Sequence, residues 1–221
     1  MSKEIVRQQE ILAELEQIYQ GVGSALKYNS PFQLLVAVML SAQTNDNQVN
    51  KITERLFELF ADAAAFAVLS PQELIPYISS CGLYKNKAKN IIATARIING
   101  QFGGEVPQIK EQLTALPGVG DKTANVVLSV GFDIPALAVD THVFRVARRL
   151  GLAEGQTPRA VERELCDLIA REKWSKAHHW LIWHGRRVCH AQKPHCSECT
   201  LSKLCLQEIK NLDNGMDGEK A

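Results

Sequence analysis

The sequence predicts an all-α protein, because strand signals are nearly absent, apolar residues recur at helical spacing, and the starts of helices are clearly marked. The N-terminal segment illustrates the spacing with Ile5, Ile11, Leu12, Leu15 and Ile18. Counting between the start and stop marks gives about ten helices of ordinary length.

Three of the predicted helix starts combine a capping side chain with a proline: Ser30-Pro31, Ser70-Pro71 and Thr157-Pro158. In the first two, Gln33 and Glu73 follow at the third helical position, where each would complete a capping box. These local signals set the boundaries of the predicted helices.

Composition excludes several classes of protein. The chain has 221 residues, of which 46% are hydrophobic and 22% charged, which excludes a disordered or collagen-like chain. The apolar runs are too short to span a bilayer, and the N-terminus lacks the apolar core of a signal peptide. We therefore expect a soluble, cytoplasmic protein without a membrane partner.

The formal net charge is only +1, but the basic residues are unevenly distributed. Between residues 171 and 205 the basic side chains are Arg171, Lys173, Lys176, Arg186, Arg187, Lys193 and Lys203. A local basic surface can attract phosphates when the average charge does not. Charge alone is equally compatible with a solvated face.

The segment Leu116-Pro117-Gly118-Val119-Gly120 lies between two amphipathic segments. Pro117 ends one helix, and Gly118 and Gly120 allow a tight turn with positive φ. The N–H groups that open the next helix have no helical partner and can hold a phosphate. The same pattern also suits a plain helix–helix connection, so both interpretations stay open.

Lys122 and Asp140 are the candidate catalytic side chains. A lysine in the first turn of a helix opposes the helix dipole, which favours the neutral amine that forms Schiff bases. Asp140 precedes the helix that starts at Thr141. Taken singly, Lys122 also fits a surface lysine and Asp140 an N-cap.

Four of the six cysteines follow the pattern C-x6-C-x2-C-x5-C, at Cys189, Cys196, Cys199 and Cys205. In a chain without a secretory signal, such a cluster indicates a metal site, and its spacing leaves zinc and a cubane iron–sulfur cluster both open. Cys81 and Cys166 stand apart and are predicted to be buried packing thiols.

Together these features resemble the endonuclease III family of DNA glycosylases. The motifs that carry the resemblance run in family order from about Ser30 to Cys205: Ser41-Ala42-Gln43, Gly82-Leu83-Tyr84 through Lys87-Ala88 to Asn90-Ile91-Ile92, Leu116 to Ala124, Val139 to Val146, His179 to Ile182 leading to His184-Gly185-Arg186, and the four-cysteine loop.

The resemblance implies two helical domains with a DNA-binding cleft between them. One would be a six-helix domain at residues 24–134 with the helix-hairpin-helix motif. The other would join residues 1–23 to 135–221 and hold a 4Fe-4S cluster on Cys189, Cys196, Cys199 and Cys205. The cluster would be structural and would bring Lys193 near the DNA phosphates.

Residue by residue, Lys122 matches the family's nucleophile and Asp140 its catalytic carboxylate. Gln43 and Leu83 match positions that enter the duplex where the damaged base leaves. Gly118 and Gly120 match the hairpin that contacts the DNA backbone.

The implied activity is that of a bifunctional glycosylase and AP lyase of base excision repair. It would act as a monomer on double-stranded DNA, remove oxidised pyrimidines, and cleave 3′ of abasic sites through a lysine Schiff base. A monofunctional adenine glycosylase is the nearest alternative; Lys122 and the short segment after Cys205 count against it. A non-catalytic, metal-stabilised DNA-binding module would leave Lys122 and Asp140 unexplained.

Three features depart from the family pattern or fall outside it. Thr44-Asn45-Asp46 differs mildly from the common form of that segment. Asp121 stands where members usually carry Arg or Lys, which should weaken one phosphate contact. Residues 213–221 form a short polar tail that we expect to be disordered.

Overall fold

The structure, a computed structural model, describes residues 2–208, and the regular structure in this range is entirely helical. The all-α prediction is therefore confirmed. The polar tail expected to be disordered lies outside the described residues. The α-helices are α1 (Lys3–Ile18), α2 (Pro31–Ser41), α3 (Asp46–Leu59), α4 (Ala63–Ala67), α5 (Pro71–Ile78), α6 (Tyr84–Gln101), α7 (Lys110–Thr114), α8 (Asp121–Val126), α9 (Thr141–Leu150), α10 (Pro158–Leu168) and α11 (Trp174–Arg187).

Shorter helical turns complete the secondary structure. A π-helical turn, Val127–Gly131, continues α8 directly. Three 3₁₀ turns occur at Arg171–Lys173, Cys196–Glu198 and Ser202–Leu204, and the last two belong to the four-cysteine loop.

The chain divides into two compact units. One unit is Ser24–Ala136 and contains α2 to α8. The other joins the residues up to Gly23 to the chain from Leu137 onward, and it contains α1, α9, α10, α11 and the four cysteines.

The Ser24–Ala136 unit is built around α2, which is apolar on all sides. Every residue from Phe32 to Leu40 is buried, as expected for a helix enclosed by others. Helix α6 packs against α4, α5 and α2, and it contributes Ile91 and Ile92 to the same core.

The second unit is assembled on α9, whose apolar stripe of Val143, Val146, Ala147 and Leu150 is buried. Helix α11 packs against both α9 and α1. Arg7 of α1 donates hydrogen bonds to the carbonyl oxygens of Leu150 at 2.7 Å and Leu204 at 2.5 Å. The N-terminal helix is therefore fastened to the end of α9 and to the four-cysteine loop.

The predicted caps are largely present. Ser70 and Glu73 form a complete capping box, and Thr157 caps α10. Ser30 caps α2 by accepting from the backbone N–H of Gln33, but the second box is absent. The Gln33 carboxamide oxygen instead accepts from the N–H of Asn29, the residue before the cap, at 2.9 Å, while its Nε2 donates to the carbonyl of Ala61 at 3.2 Å.

None of the helices between residues 2 and 208 combines the length and the apolar character that a membrane crossing needs.

Candidate active site and metal centre

A tight turn joins α7 to α8. The N–H of Val119 donates to the carbonyl of Leu116 at 3.1 Å, and Gly118 has φ +78°, a left-handed conformation that favours glycine. Gly120 is the extended N-cap of α8, with φ −99°, so the expected positive φ occurs at Gly118 only. Because Gly120 has no side chain, no side-chain oxygen at this position accepts from the first N–H groups of α8.

Helix α6 supports this turn from below. A Cβ atom added to Gly118 would lie 2.8 Å from Nδ2 of Asn90, so the backbone approaches α6 more closely than any side chain allows. The Thr94 hydroxyl donates to the carbonyl of Pro117 at 2.9 Å. The hairpin geometry therefore depends on α6 as well as on the glycine.

Lys122 lies in the first turn of α8 and is partly buried. The neighbouring Asp121 is exposed, and its Oδ1 lies 3.5 Å from Nζ of Lys110. This ion pair partly offsets the negative charge that Asp121 places beside the hairpin.

Asp140 caps α9. Its Oδ1 accepts from the N–H groups of His142 and Val143, both at 2.8 Å. Within residues 2–208 no hydrogen bond reaches its Oδ2. The structural role as N-cap is thus present, and one carboxylate oxygen remains for another role. Burial lowers the pKa of His142, and the charge of Asp140 partly opposes that shift.

Lys122 belongs to the Ser24–Ala136 unit and Asp140 to the other unit. Each residue is therefore positioned by the start of a helix in its own unit, α8 for Lys122 and α9 for Asp140.

Gln43 and Leu83 share an unusual backbone conformation. Gln43 follows α2 with φ +56°, and Leu83 is the N-cap of α6 with φ +58°. Both side chains are exposed, Leu83 to 58%. Packing in the core does not explain a large apolar side chain that is this exposed.

The four clustered cysteines are free thiols that line one cavity together with His184. Burial raises the pKa of Cys196 to about 11 and also raises the pKa values of Cys199 and Cys205. Cys81 is buried as predicted, whereas Cys166 is only partly buried.

The four cysteines supply a donor set that suits a metal centre, since all four line the same cavity. Within the described residues, no three His, Cys, Asp or Glu side chains converge as ligands of a single ion. Four thiolates are the ligands that a cubane iron–sulfur cluster takes, so the residues present fit that group.

Two polar groups from α9 and α11 contact these cysteines. The Nε2 atom of His184 lies 3.8 Å from Sγ of Cys199, and its Nδ1 lies 3.1 Å from the hydroxyl of Tyr19. Arg149 places Nη1 3.5 Å from Sγ of Cys189. Burial lowers the pKa of His184 to about 4, so its ring is neutral at physiological pH.

The first part of the four-cysteine loop is held by two arginines of α9. Arg149 donates to the carbonyls of His190 at 2.7 Å and Ala191 at 3.1 Å, and Arg145 donates to that of Cys189 at 3.1 Å. Lys193 is exposed at the tip, with φ +49°.

Several supporting residues were assigned no role from the sequence. Arg145 and Arg149 are four residues apart on an amphipathic helix, which is also the pattern of an ordinary solvated face. Lys87 and Asn90 lie in one of the stretches that carry the family resemblance, but no role was predicted for either, because their partners are distant in sequence.

Comparison with known proteins gives the same family from three directions. A model described as HhH-GPD superfamily base excision DNA repair protein matches residues 36–171, more than half of the chain. The endonuclease III of Synechocystis sp. is 48% identical over 206 residues, which cover 93% of this chain and 94% of that protein. The endonuclease III of Escherichia coli (strain K12) is 46% identical over 196 residues, which cover 89% and 93%.

Solved structures agree with the sequence relatives. A non-covalent endonuclease III–DNA complex matches with a TM-score of 0.90 at 41% identity, covering 96% of this chain and all of that one. A trapped endonuclease III–DNA covalent intermediate matches with a TM-score of 0.88 at 43% identity, covering 93% and 98%. This chain therefore belongs to the endonuclease III family, within the HhH-GPD superfamily of base excision DNA repair proteins.

Proposed function

We propose that this protein is a bifunctional DNA glycosylase and AP lyase that removes oxidised pyrimidines from double-stranded DNA and cleaves 3′ of the resulting abasic site. The observation that carries the proposal is the position of Lys122, an amine in the first turn of the helix that follows the Gly118 turn, in a chain that matches endonuclease III over nearly its whole length.

The protein binds DNA mainly through the sugar–phosphate backbone of the DNA. The N–H groups around Gly118 and Gly120 donate to a phosphate without reading the base sequence, and the exposed Lys193 adds a positive charge. Binding of this kind weakens steeply with salt, because phosphate contacts release counterions.

A base within a duplex cannot be reached, so the damaged nucleotide leaves the stack. The exposed Leu83 and Gln43 enter the vacated space and limit the loss of stacking. Their left-handed backbones place both side chains on turns instead of inside helices.

Lys122 then supplies the nucleophile. Its neutral amine attacks C1′ of the deoxyribose, the bond from C1′ to the base breaks, and the base departs with the electron pair and a proton. Asp140 stabilises the positive charge that develops on the sugar through the carboxylate that also caps α9.

The same amine leads to strand cleavage. Opening of the sugar ring leaves a Schiff base between Lys122 and C1′, which makes the C2′ proton acidic. Loss of that proton expels the 3′ phosphate by β-elimination, and water then releases the enzyme. Both steps use one side chain, which distinguishes this protein from a monofunctional glycosylase.

Cys189, Cys196, Cys199 and Cys205 would hold a 4Fe-4S cluster. The cluster would fix the C-terminal loop that carries Lys193 and would take no part in the bond-breaking steps. Its folding role follows from the general coupling of metal binding to the order of the segment that binds it.

The metal centre gives the first prediction. The purified protein should be yellow-brown with about four irons per chain, as a cubane cluster requires. Cys199→Ser should lose iron and melt at a lower temperature, whereas the matched control Cys166→Ser should keep both properties. Stoichiometric zinc in protein purified anaerobically from iron-replete cells would contradict the assignment.

Asp140→Asn distinguishes the role of Asp140 as the N-cap of α9 from the role of its negative charge in base excision. Asparagine caps a helix about as well as aspartate, so the melting temperature should change little. Single-turnover base excision should fall by roughly 10²- to 10³-fold, the usual effect of removing one stabilising group from a transition state.

The control is Asp62→Asn, since Asp62 caps α4 in the same way, with Oδ1 accepting from the N–H of Ala65 at 2.8 Å. It should leave excision unchanged. If Asp140→Asn also excised normally, Asp140 would be a cap and nothing more.

Lys122→Gln keeps the length and polarity of the side chain but cannot form an imine. It should bind a lesion-containing duplex, fail to become covalently trapped by borohydride, and cleave no abasic strand. Lys51→Gln, a change at an exposed lysine of α3, should trap and cleave like the unmutated protein.

Normal trapping by Lys122→Gln would show that another amine is the nucleophile. Base excision without trapping in the unmutated protein would favour the monofunctional alternative. Absence of both activities would favour the non-catalytic DNA-binding module.

A further inference from the structure

Lys87 is a buried lysine of α6 whose amine contacts the end of another helix. The residue is 7% exposed, and its Nζ donates to the carbonyls of Leu40 at 2.8 Å and Ala42 at 2.6 Å and to the hydroxyl of Thr44 at 3.2 Å. An ammonium group has three N–H donors, and each has an acceptor here.

These acceptors define where α2 ends and how the chain leaves it. Leu40 lies in the last turn of α2, Ala42 is its C-cap, and Thr44 precedes α3. Helix α2 has no basic residue in its own last turn. Lys87 thus provides, from a different helix, the positive charge and the donors that a helix C-terminus needs.

The loop that Lys87 holds contains Gln43, which lies between two of its partners. Gln43 has φ +56°, a conformation that non-glycine residues seldom adopt and that the surroundings must impose. The Lys87 bonds fix the peptide before Gln43 and the side chain after it.

Lys87 also belongs to the first turn of α6, which Leu83 caps. Its backbone N–H donates to the carbonyl of Leu83 at 3.0 Å, and Leu83 has φ +58°. One residue is therefore bonded through its amine to the Gln43 loop and through its backbone to Leu83.

The two loops also lie side by side. A Cβ atom added to Gly82 would lie 3.4 Å from the carbonyl oxygen of Gln43, and Nε2 of Gln48, in the first turn of α3, donates to the hydroxyl of Ser80 at 2.9 Å. The segments 42–44 and 80–83 are thus a single two-loop wedge, with Lys87 beneath it.

We propose that Lys87 is a positioning residue for base extrusion, which holds Gln43 and Leu83 in their inserting conformations before DNA arrives. The inference rests on the proposed function, in which these two side chains enter the duplex. Lys87 touches no DNA. Its contribution is preorganisation, because a wedge that is already ordered loses less conformational freedom when it enters the gap.

The test uses Lys87→Met, which keeps most of the apolar stem and removes the amine. The control is Gln33→Met, which removes two buried hydrogen bonds at the opposite end of α2. Thr44→Val removes a single bond to Lys87 and keeps the side-chain shape, so it serves as a mild second variant if Lys87→Met folds poorly.

Each full-length, cluster-loaded protein is titrated with two duplexes, one undamaged and one with a tetrahydrofuran abasic site, at a temperature where it is fully folded. Lys87→Met should lower the preference for the abasic duplex by about tenfold, equivalent to ~1.4 kcal/mol, and leave undamaged binding unchanged. Thr44→Val should lower it less, and Gln33→Met should keep it.

A second readout locates the effect. Amide hydrogen exchange in free Lys87→Met should accelerate in residues 42–45 and 80–84 and remain unchanged around the Gly118 turn. Combining Lys87→Met with Gln43→Ala should reduce the preference by less than the product of the two single effects, because both act on one wedge.

An unchanged preference in Lys87→Met, an equal loss in Gln33→Met, or fully multiplicative effects with Gln43→Ala would overturn the proposal while leaving the proposed function intact. If the unmutated protein itself did not prefer the abasic duplex, the proposed function would be wrong and this inference with it.

Discussion

A helix leaves four backbone N–H groups without partners at its start and four carbonyls at its end, and the working parts of this protein are organised by that constraint. The start of α8 offers N–H groups beside Lys122, with a glycine in place of a capping side chain. The start of α9 is capped by Asp140, which uses one carboxylate oxygen for two N–H groups. At the end of α2, Lys87 donates to the carbonyls of Leu40 and Ala42. The residues proposed to carry the chemistry and the DNA contacts thus lie at places where the backbone itself needs a partner.

Helix α6 connects two of these places through one face. Lys87, Asn90 and Thr94 are separated by three and four residues, so they lie on the same side of the helix. Lys87 holds the Gln43 loop, while Asn90 and Thr94 contact the turn before α8. The spacing between the wedge and the hairpin is therefore set by a rigid element. In the other unit, Arg145 and Arg149 on one face of α9 similarly hold the loop that begins at Cys189.

Features determined by near neighbours were predictable from the sequence. The Ser70 box, the Thr157 cap and the boundaries of most helices depend on residues within one turn, and the combined motifs were specific enough to indicate the family. Features determined by distant partners were not. Gln33 donates to the carbonyl of Ala61, far away in the sequence, and Lys87 donates to carbonyls at the end of another helix. The left-handed backbones at Gln43 and Leu83 carry no sequence signal, because neither residue is a glycine.

In the proposed function, a single amine, that of Lys122, performs both base removal and strand cleavage. The most direct measurement is peptide mapping of the covalent adduct that forms when borohydride reduces the Schiff base between the protein and lesion-containing DNA. Trypsin does not cut after a modified lysine. The sugar remnant should therefore be found on a single peptide that contains Lys122 and is not cleaved after it. A remnant on the N-terminal amine, or on any other lysine, would contradict the assignment to Lys122.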